Sequence, residues 1–225
     1  MRVLAIDTAL AVCAAAILDT EQGMRASQSI PMVRGHAEAL MPLIARVMDA
    51  AELEFAELDR IAVTTGPGSF TGLRVGIAAA RGIALAAARP SVGLSTLAAY
   101  AAPLIAKDDS IPVLAVIDAR HDQVYLQVFG VGGRMLVSPR IGPIQEAARI
   151  SGPGPVRIVG SAAREVAAAW PADFPAPLLV ETHPAPEIDW VARLGAAAVG
   201  LAPPKPLYLR APDAQPQDAS RLARL

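Results

Sequence analysis

The sequence predicts an α/β protein built as two lobes, each holding a mixed sheet. Three observations carry that expectation. Val113-Leu114-Ala115-Val116-Ile117-Asp118 echoes Val3-Leu4-Ala5-Ile6-Asp7, and each copy is followed by a polar turn and a returning apolar run. Around both copies, short apolar runs alternate with stretches of helical periodicity. At 225 residues and roughly 150 residues per domain, the chain makes one large or two small domains with length enough for a core.

In the first lobe, residues 3–6 and 12–18 read as antiparallel strands, and the turn Asp19-Thr20-Glu21-Gln22-Gly23 leads to a third strand at 24–30. Residues 36–51 carry Leu40, Leu43, Ile44 and Val47 at helical spacing. Pro42 inside that helix lacks a backbone donor, so it kinks the helix or marks its first turn. Residues 60–65 form a short strand, and the turn 66–72 opens a long small-residue helix reaching about Ala88. A strand at 91–94 and a helix at 95–106 complete the lobe, taken as residues 1–108. The second lobe, 109–210, restarts with strands at 113–118 and 124–129. A helix near 145–150, a strand at 156–159, a helix at 162–170, a strand at 178–181 and a helix at 188–199 follow. Most of the 20 prolines fall from Pro139 onward, which shortens the elements of this lobe. Residues 211–225, polar with Pro212 and Pro216, read as a mobile tail.

Composition narrows the function classes. Hydrophobic residues make up 53% and charged residues 18%, far from the composition of a disordered chain. No stretch of about 20 residues has the unbroken apolar density of a membrane span. The best candidate, 77–88, contains Arg81 and ends at Arg89-Pro90, so no membrane association is expected. Asp7 stands where a signal peptide's apolar stretch would continue, and a cytoplasmic location is expected. A net charge of −1 and a pI of about 6.3 supply no global basic field for nucleic acid. The lone Cys13 supports neither a disulfide framework nor a CxxC site. So apolar a chain with so few charges points to a surface meant to be covered.

The most informative stretch is Gly66-Pro67-Gly68-Ser69-Phe70-Thr71-Gly72-Leu73-Arg74-Val75-Gly76, a glycine-rich turn between a strand and a helix. Unpaired N–H groups at such a helix start favour an anion, so Gly66, Gly68 and Ser69, with Asp7 and Thr8 at the first strand's end, are candidate nucleotide- or anion-binding residues. The alternative is a plain helix cap by Ser69 or Thr71, with glycines allowing close packing. No lysine follows Gly72, so this is not a Walker A loop. No Asp or Glu occurs from 61 to 106, so the ribose-binding acid of a dinucleotide fold is missing. Asp7 and Asp118 are strand-end acids that either orient a metal or water or simply form turns. His36, His121 and His183 have no HxxxH or HxxH spacing, so no protein-built transition-metal site is expected. Ser69 lacks the GxSxG context of a serine nucleophile, and no catalytic residue is assigned.

Two helices could present the covered surface. The first carries Met41 and Met48 beside its core stripe, an apolar arc wider than one buried face needs. The second sets Gly72, Gly76, Ala79, Ala80 and Ile83 on neighbouring turns, a smooth face that another helix could approach. Arg74 and Arg81 share a different face, either as a local positive patch or as a solvated surface. The candidate partner interface is therefore His36, Leu40, Met41, Ile44, Val47, Met48, Gly72, Arg74, Gly76, Ala79, Ala80 and Ile83.

Residues 1–18, 36–44, 66–76, 93–97 and 206–210 closely resemble the TsaB (YeaZ) family, the dimerisation subunits of the bacterial tRNA threonylcarbamoyladenosine machinery. The likeness spans nearly the whole chain, strongest in the first lobe and thin between about 134 and 204. It implies the two-lobe actin-like ATPase fold shared by sugar kinases and Hsp70. It also implies a non-catalytic scaffold of TsaD, which transfers the threonylcarbamoyl group to adenosine 37 of tRNA. The ATPase TsaE acts on that pair, family members form homodimers when alone, and tRNA is met indirectly through the complex. In TsaD a helix carries a metal-binding histidine pair four apart; the matching positions here are Thr96 and Tyr100, poor metal ligands. Actin-like ATPases place a glycine shortly after the first-strand Asp, whereas Asp7 is followed by Thr8-Ala9-Leu10. The resemblance thus implies no tightly bound cofactor, with ATP or ADP at most at the subunit junction of the complex. The rival is an enzyme of the same fold, a metal-dependent glycopeptidase or an ATP-dependent kinase; a tRNA-binding module is disfavoured by the pI and by only 4% aromatic residues.

Overall fold

A computed structural model describes residues 1–200 and 202–210; the tail expected at 211–225 lies outside the described residues. Arg2–Asp7 (β1) and Val12–Asp19 (β2) pair antiparallel, and Gly23–Pro31 (β3) extends the meander. β1 and β2 are buried along nearly their whole length because both faces are covered, whereas β3 alternates as an edge strand does. Arg60–Gly66 (β4) and Ser91–Ser95 (β5) add in parallel, giving the order β3-β2-β1-β4-β5.

The second sheet repeats that plan. Val113–Asp118 (β6) pairs antiparallel with Gln123–Phe129 (β7), which pairs with Met135–Pro143 (β8). Arg157–Val159 (β9) and Leu179–Glu181 (β10) add in parallel, and the order β10-β9-β6-β7-β8 matches the first sheet strand for strand. The internal echo is therefore structural. β8 was not expected from the sequence, because Pro139, Arg140 and Pro143 hide it; at a sheet edge a proline's missing donor costs no ladder bond.

His36–Ala51 (α1) and Phe70–Ala86 (α2) cover one face of the first sheet, with Leu40, Ile44, Val47, Leu73, Ile77 and Ile83 packed on Leu4, Ile6, Ile17 and Ile61. Pro42 lies on the exposed side of α1, which runs through it. Thr96–Lys107 (α3) sets Leu97, Tyr100, Ala101 and Leu104 against Val113, Ala115, Ile117 and Phe129, so it belongs to the core of the second sheet as much as the first. Ile144–Ala147 (α4) and Ala163–Ala168 (α5) cover the other face of the second sheet and are shorter than expected. Gly152, Pro153, Gly154 and Pro155 follow α4 and stop further helix.

The last helix, Ile188–Ala197 (α6), departs from the sequence-based division at 108/109. Its Ile188, Val191 and Ala192 pack on Ala5, Ala14 and Ala16, so the chain crosses back and covers the first sheet. A Cβ on Gly195 would lie 2.3 Å from that of Ala62, a close approach that only glycine allows. Arg60 fixes the end of this helix: its Nη1 lies 2.8, 3.3 and 2.9 Å from the carbonyl oxygens of Gly195, Ala196 and Ala198. Buried Arg157 does the same for α3 and the interlobe linker, donating to the carbonyls of Leu104, Asp108 and Ile111. No helix among the described residues is long and apolar enough to cross a membrane.

Candidate functional site at the end of the first strand

Asp7 ends β1 in the interior, with 0% exposure. Its Oδ1 accepts from the backbone N–H of Ala9 at 2.9 Å and from the Thr64 hydroxyl, while Oδ2 is buried without a hydrogen-bond partner. Burial pushes this carboxyl above its ordinary range, against the lowering pull of the Thr64 and Ala9 bonds and of His36. An acid so enclosed does not face solvent as a metal or phosphate ligand would. Asp118, its counterpart in the second lobe, is exposed, and its Oδ1 accepts from Arg120 N–H at 2.7 Å, as a turn-forming aspartate does.

The glycine-rich turn is occupied by the chain itself. Thr8 points inward, and its Oγ1 donates to the Gly72 carbonyl at 2.7 Å. A Cβ at Gly72 would stand 2.0 Å from the Thr8 carbonyl oxygen, at Gly68 2.3 Å from that of Ala9, and at Gly76 2.4 Å from Thr8 Oγ1. Ser69 N–H donates to the Ala9 carbonyl at 2.7 Å, and Ser69 Oγ caps α2 by accepting from Gly72 N–H at 3.3 Å. The expected anion site at Gly66, Gly68 and Ser69 is therefore corrected: carbonyls of the β1–β2 turn lie against the helix start that an anion would need. The spacing of the glycines records close packing of two turns.

The candidate partner interface also divides. Leu40, Ile44, Val47, Met48, Ala80 and Ile83 belong to the first lobe's own core, and Gly72 and Gly76 are buried against Thr8. His36 is buried too, its Nε2 donating to the Leu10 carbonyl at 3.0 Å. While the lobe is folded these residues pack within it and leave little surface for a partner. Met41 and Arg74 are exposed and Ala79 is half-buried, so only they remain on the surface. The wide apolar arc of α1 is filled by packing on both β2 and α2, two neighbours that periodicity alone does not reveal.

At the α3 start, Thr96 is fully buried with its Oγ1 unpartnered, and Tyr100 donates its hydroxyl to the His183 carbonyl at 2.8 Å. Burial drives the Tyr100 phenol far above its ordinary range, so it stays neutral. Neither side chain is a good ligand for a divalent ion, so the pair does not fit the metal that the resemblance implies for a histidine pair at these positions. Sequence reasoning missed Thr64 as the partner of Asp7 and the surface stack of Phe70, Arg74 and Tyr208. The only signal for the stack was the resemblance at 206–210, which assigned it no role.

Two mixed sheets of one strand order, sharing helices between them, define a two-lobed protein of the actin-like class. The chain superposes on the ROK hexokinase of Thermus thermophilus with a TM-score of 0.51 over 88% of this chain and 99% of that one; at 17% identity, this is a likeness of fold alone. A family model described as TsaD, tRNA N6-adenosine threonylcarbamoyltransferase, matches residues 30–189. The chain is 37% identical over 125 residues to Escherichia coli TsaB, a tRNA threonylcarbamoyladenosine biosynthesis protein, a match spanning 56% of this chain and 53% of that relative. It superposes on YeaZ from Pseudomonas aeruginosa with a TM-score of 0.78 and 28% identity, over 92% of this chain and 99% of that one. The chain belongs to the TsaB (YeaZ) family.

Proposed function

We propose that this chain acts in tRNA threonylcarbamoyladenosine biosynthesis as a non-catalytic partner of a TsaD-type transferase. The observation that carries this reading is the filled cradle. The glycine-lined helix start receives Thr8 and Ala9 of the same chain, and the enclosed Asp7 lies beside it. A cradle filled in this way leaves little room for a triphosphate or its metal, which supports a reading in which this chain performs no nucleotide chemistry of its own. ATP or ADP, if the working complex holds it, belongs to the junction with the partner. The hydroxyl pair Thr96 and Tyr100 supports the same conclusion from the metal side.

The docking face is the outer side of α1 and α2, where Met41, Ala78 and Leu85 are exposed together with Arg74 and Arg81. Apolar side chains interspersed with arginines suit a partner helix that carries both apolar and acidic residues. The same face serves a second copy of the chain when the partner is absent, TsaE joins the heterodimer, and tRNA is held by the complex, in the cytoplasm.

Mixing the chain with its TsaD-type partner and measuring the mass of the product tests this. A heterodimer is expected, and the surface variant Met41→Asp with Arg81→Glu should abolish it without moving the melting temperature. A heterodimer that survives the double variant would overturn the docking face. No complex with unaltered protein would overturn the partner role, and stoichiometric metal or ATP turnover by the isolated chain would overturn the non-catalytic assignment.

A further inference from the structure

After α6 the chain runs across the ends of the strands rather than away from the molecule. Pro204 is buried against Gly93 at β5, where a Cβ on the glycine would lie 3.2 Å from that of the proline. Leu207 N–H donates to the Thr65 carbonyl at 2.8 Å, and its own carbonyl oxygen lies 3.0 Å from where a Cβ on Gly66 would stand. The Tyr208 ring then stacks on Phe70 with centroids 5.0 Å apart, and its hydroxyl accepts from Arg74 Nε at 3.1 Å. The Arg74 guanidinium lies 3.8 Å from the centroid of the Phe70 ring. Two residues later Arg210 Nη1 donates to the Ala119 carbonyl at 3.0 Å, in the β6–β7 turn of the other lobe.

We propose that residues 204–210 form a detachable strap closing the mouth between the lobes, latched by Tyr208 on Phe70 and Arg74 and by Arg210 on Ala119. The strap lies over Thr65 and Gly66, next in sequence to Thr64, which bonds Asp7. Pro204 and Pro206 lack donors, so the segment cannot zip into the sheet as a regular strand, and one main-chain bond joins it to β4. Beyond Pro204, which is buried, its contacts described above are made by side chains at a half-exposed surface, which places residues 206–210 at the easily opened end of local stability. The turn that receives it is itself strained, with Arg120, His121 and Asp122 at φ of 62°, 53° and 56°. Pro206 also walls a cleft of about 400 Å³ with Arg74, Ile77, Ala78 and Arg81, so release of the strap dismantles one side of that cleft.

Amide hydrogen exchange on the full chain, read by mass spectrometry, tests the strap. The variant Tyr208→Ala with Arg210→Ala should speed exchange roughly tenfold at Leu207 and across residues 119–123, the size expected for losing the Tyr208–Phe70 ring contact and the Arg210 hydrogen bond to Ala119. Peptides from α1 and α6 should keep their rates. Unchanged exchange at 119–123 would overturn the bridging role. Arg74→Gln, which lies outside the strap, guards against a folding defect in the double variant. It should speed exchange at Leu207 while α6 stays protected, and an unaltered Leu207 rate would overturn the latch.

Discussion

Replacing Asp7 by asparagine turns the enclosed carboxyl into a question about pH. The side chain has 0% exposure, Oδ1 accepts two hydrogen bonds and Oδ2 has none, so burial raises its pKa above the ordinary 3.8. An acid whose folded pKa is raised contributes stability that is fully present below the unfolded value and is lost as pH rises through the folded one. Between those two values the folded protein holds a proton that the unfolded chain has released. In that window the aspartate protein loses about 1.4 kcal/mol per pH unit relative to a variant that does not titrate there. Asparagine keeps an oxygen to accept from Ala9 and Thr64, but sets an amide where Oδ2 had no partner. That unpaired donor costs on the order of 1–3 kcal/mol at every pH. The expected result is a variant that is less stable near pH 4 and gains on the parent as pH rises, until the pH passes the raised pKa of the folded aspartate. Urea denaturation at half-unit intervals from pH 4 to 8 reads the difference directly. A constant difference across that range would refute the claim that Asp7 is held protonated above its ordinary pKa.

Other perturbations separate packing from surface roles. Gly72→Ala drives a Cβ to within 2.0 Å of the Thr8 carbonyl and should cost about 3 kcal/mol, whereas Gly82→Ala, with nothing within 4 Å, should stabilise by about 0.5–1 kcal/mol; chemical denaturation ranks them. Arg60→Ala removes the guanidinium that holds three carbonyls at the α6 end, with an expected loss of about 2–3 kcal/mol and faster amide exchange in α6. Ile44→Asp should unfold the first lobe rather than merely block association, visible as lost far-ultraviolet dichroism, because Ile44 is fully buried. Cys13 is buried, with its thiol pushed up to about 11, so a thiol reagent at pH 8 should label it only after denaturant is added.

Much of the fold was legible because its signals are local. The echo of residues 3–7 at 113–118 announced two sheets of one plan, and the turn signals between apolar runs placed both hairpins. The Ser69 cap of α2 was one of two alternatives, and the structure selects it. What failed were inferences about what lies opposite a face. The stripe Leu40, Ile44, Val47 and Met48 has the same periodicity whether a sheet, a neighbouring helix or another protein covers it. The glycines 68, 72 and 76 have the spacing of a ligand cradle and of a packing seam alike, and only Thr8 standing in the groove decides between them.

The sequence alone determined the class of the protein, the order of most elements and a family resemblance at motifs spread from Met1 to Arg210. The tertiary structure decided that Asp7 is enclosed with Thr64, that α6 returns to the first sheet, and that Tyr208 and Arg210 reach across to Phe70, Arg74 and the Ala119 turn. The division has a physical cause. Helix and strand periodicity, caps and turns are set by neighbours a few residues away, so they are written in short stretches of sequence. Burial, pKa and the use of a glycine depend on groups tens to more than a hundred residues distant, which meet only when the chain has folded.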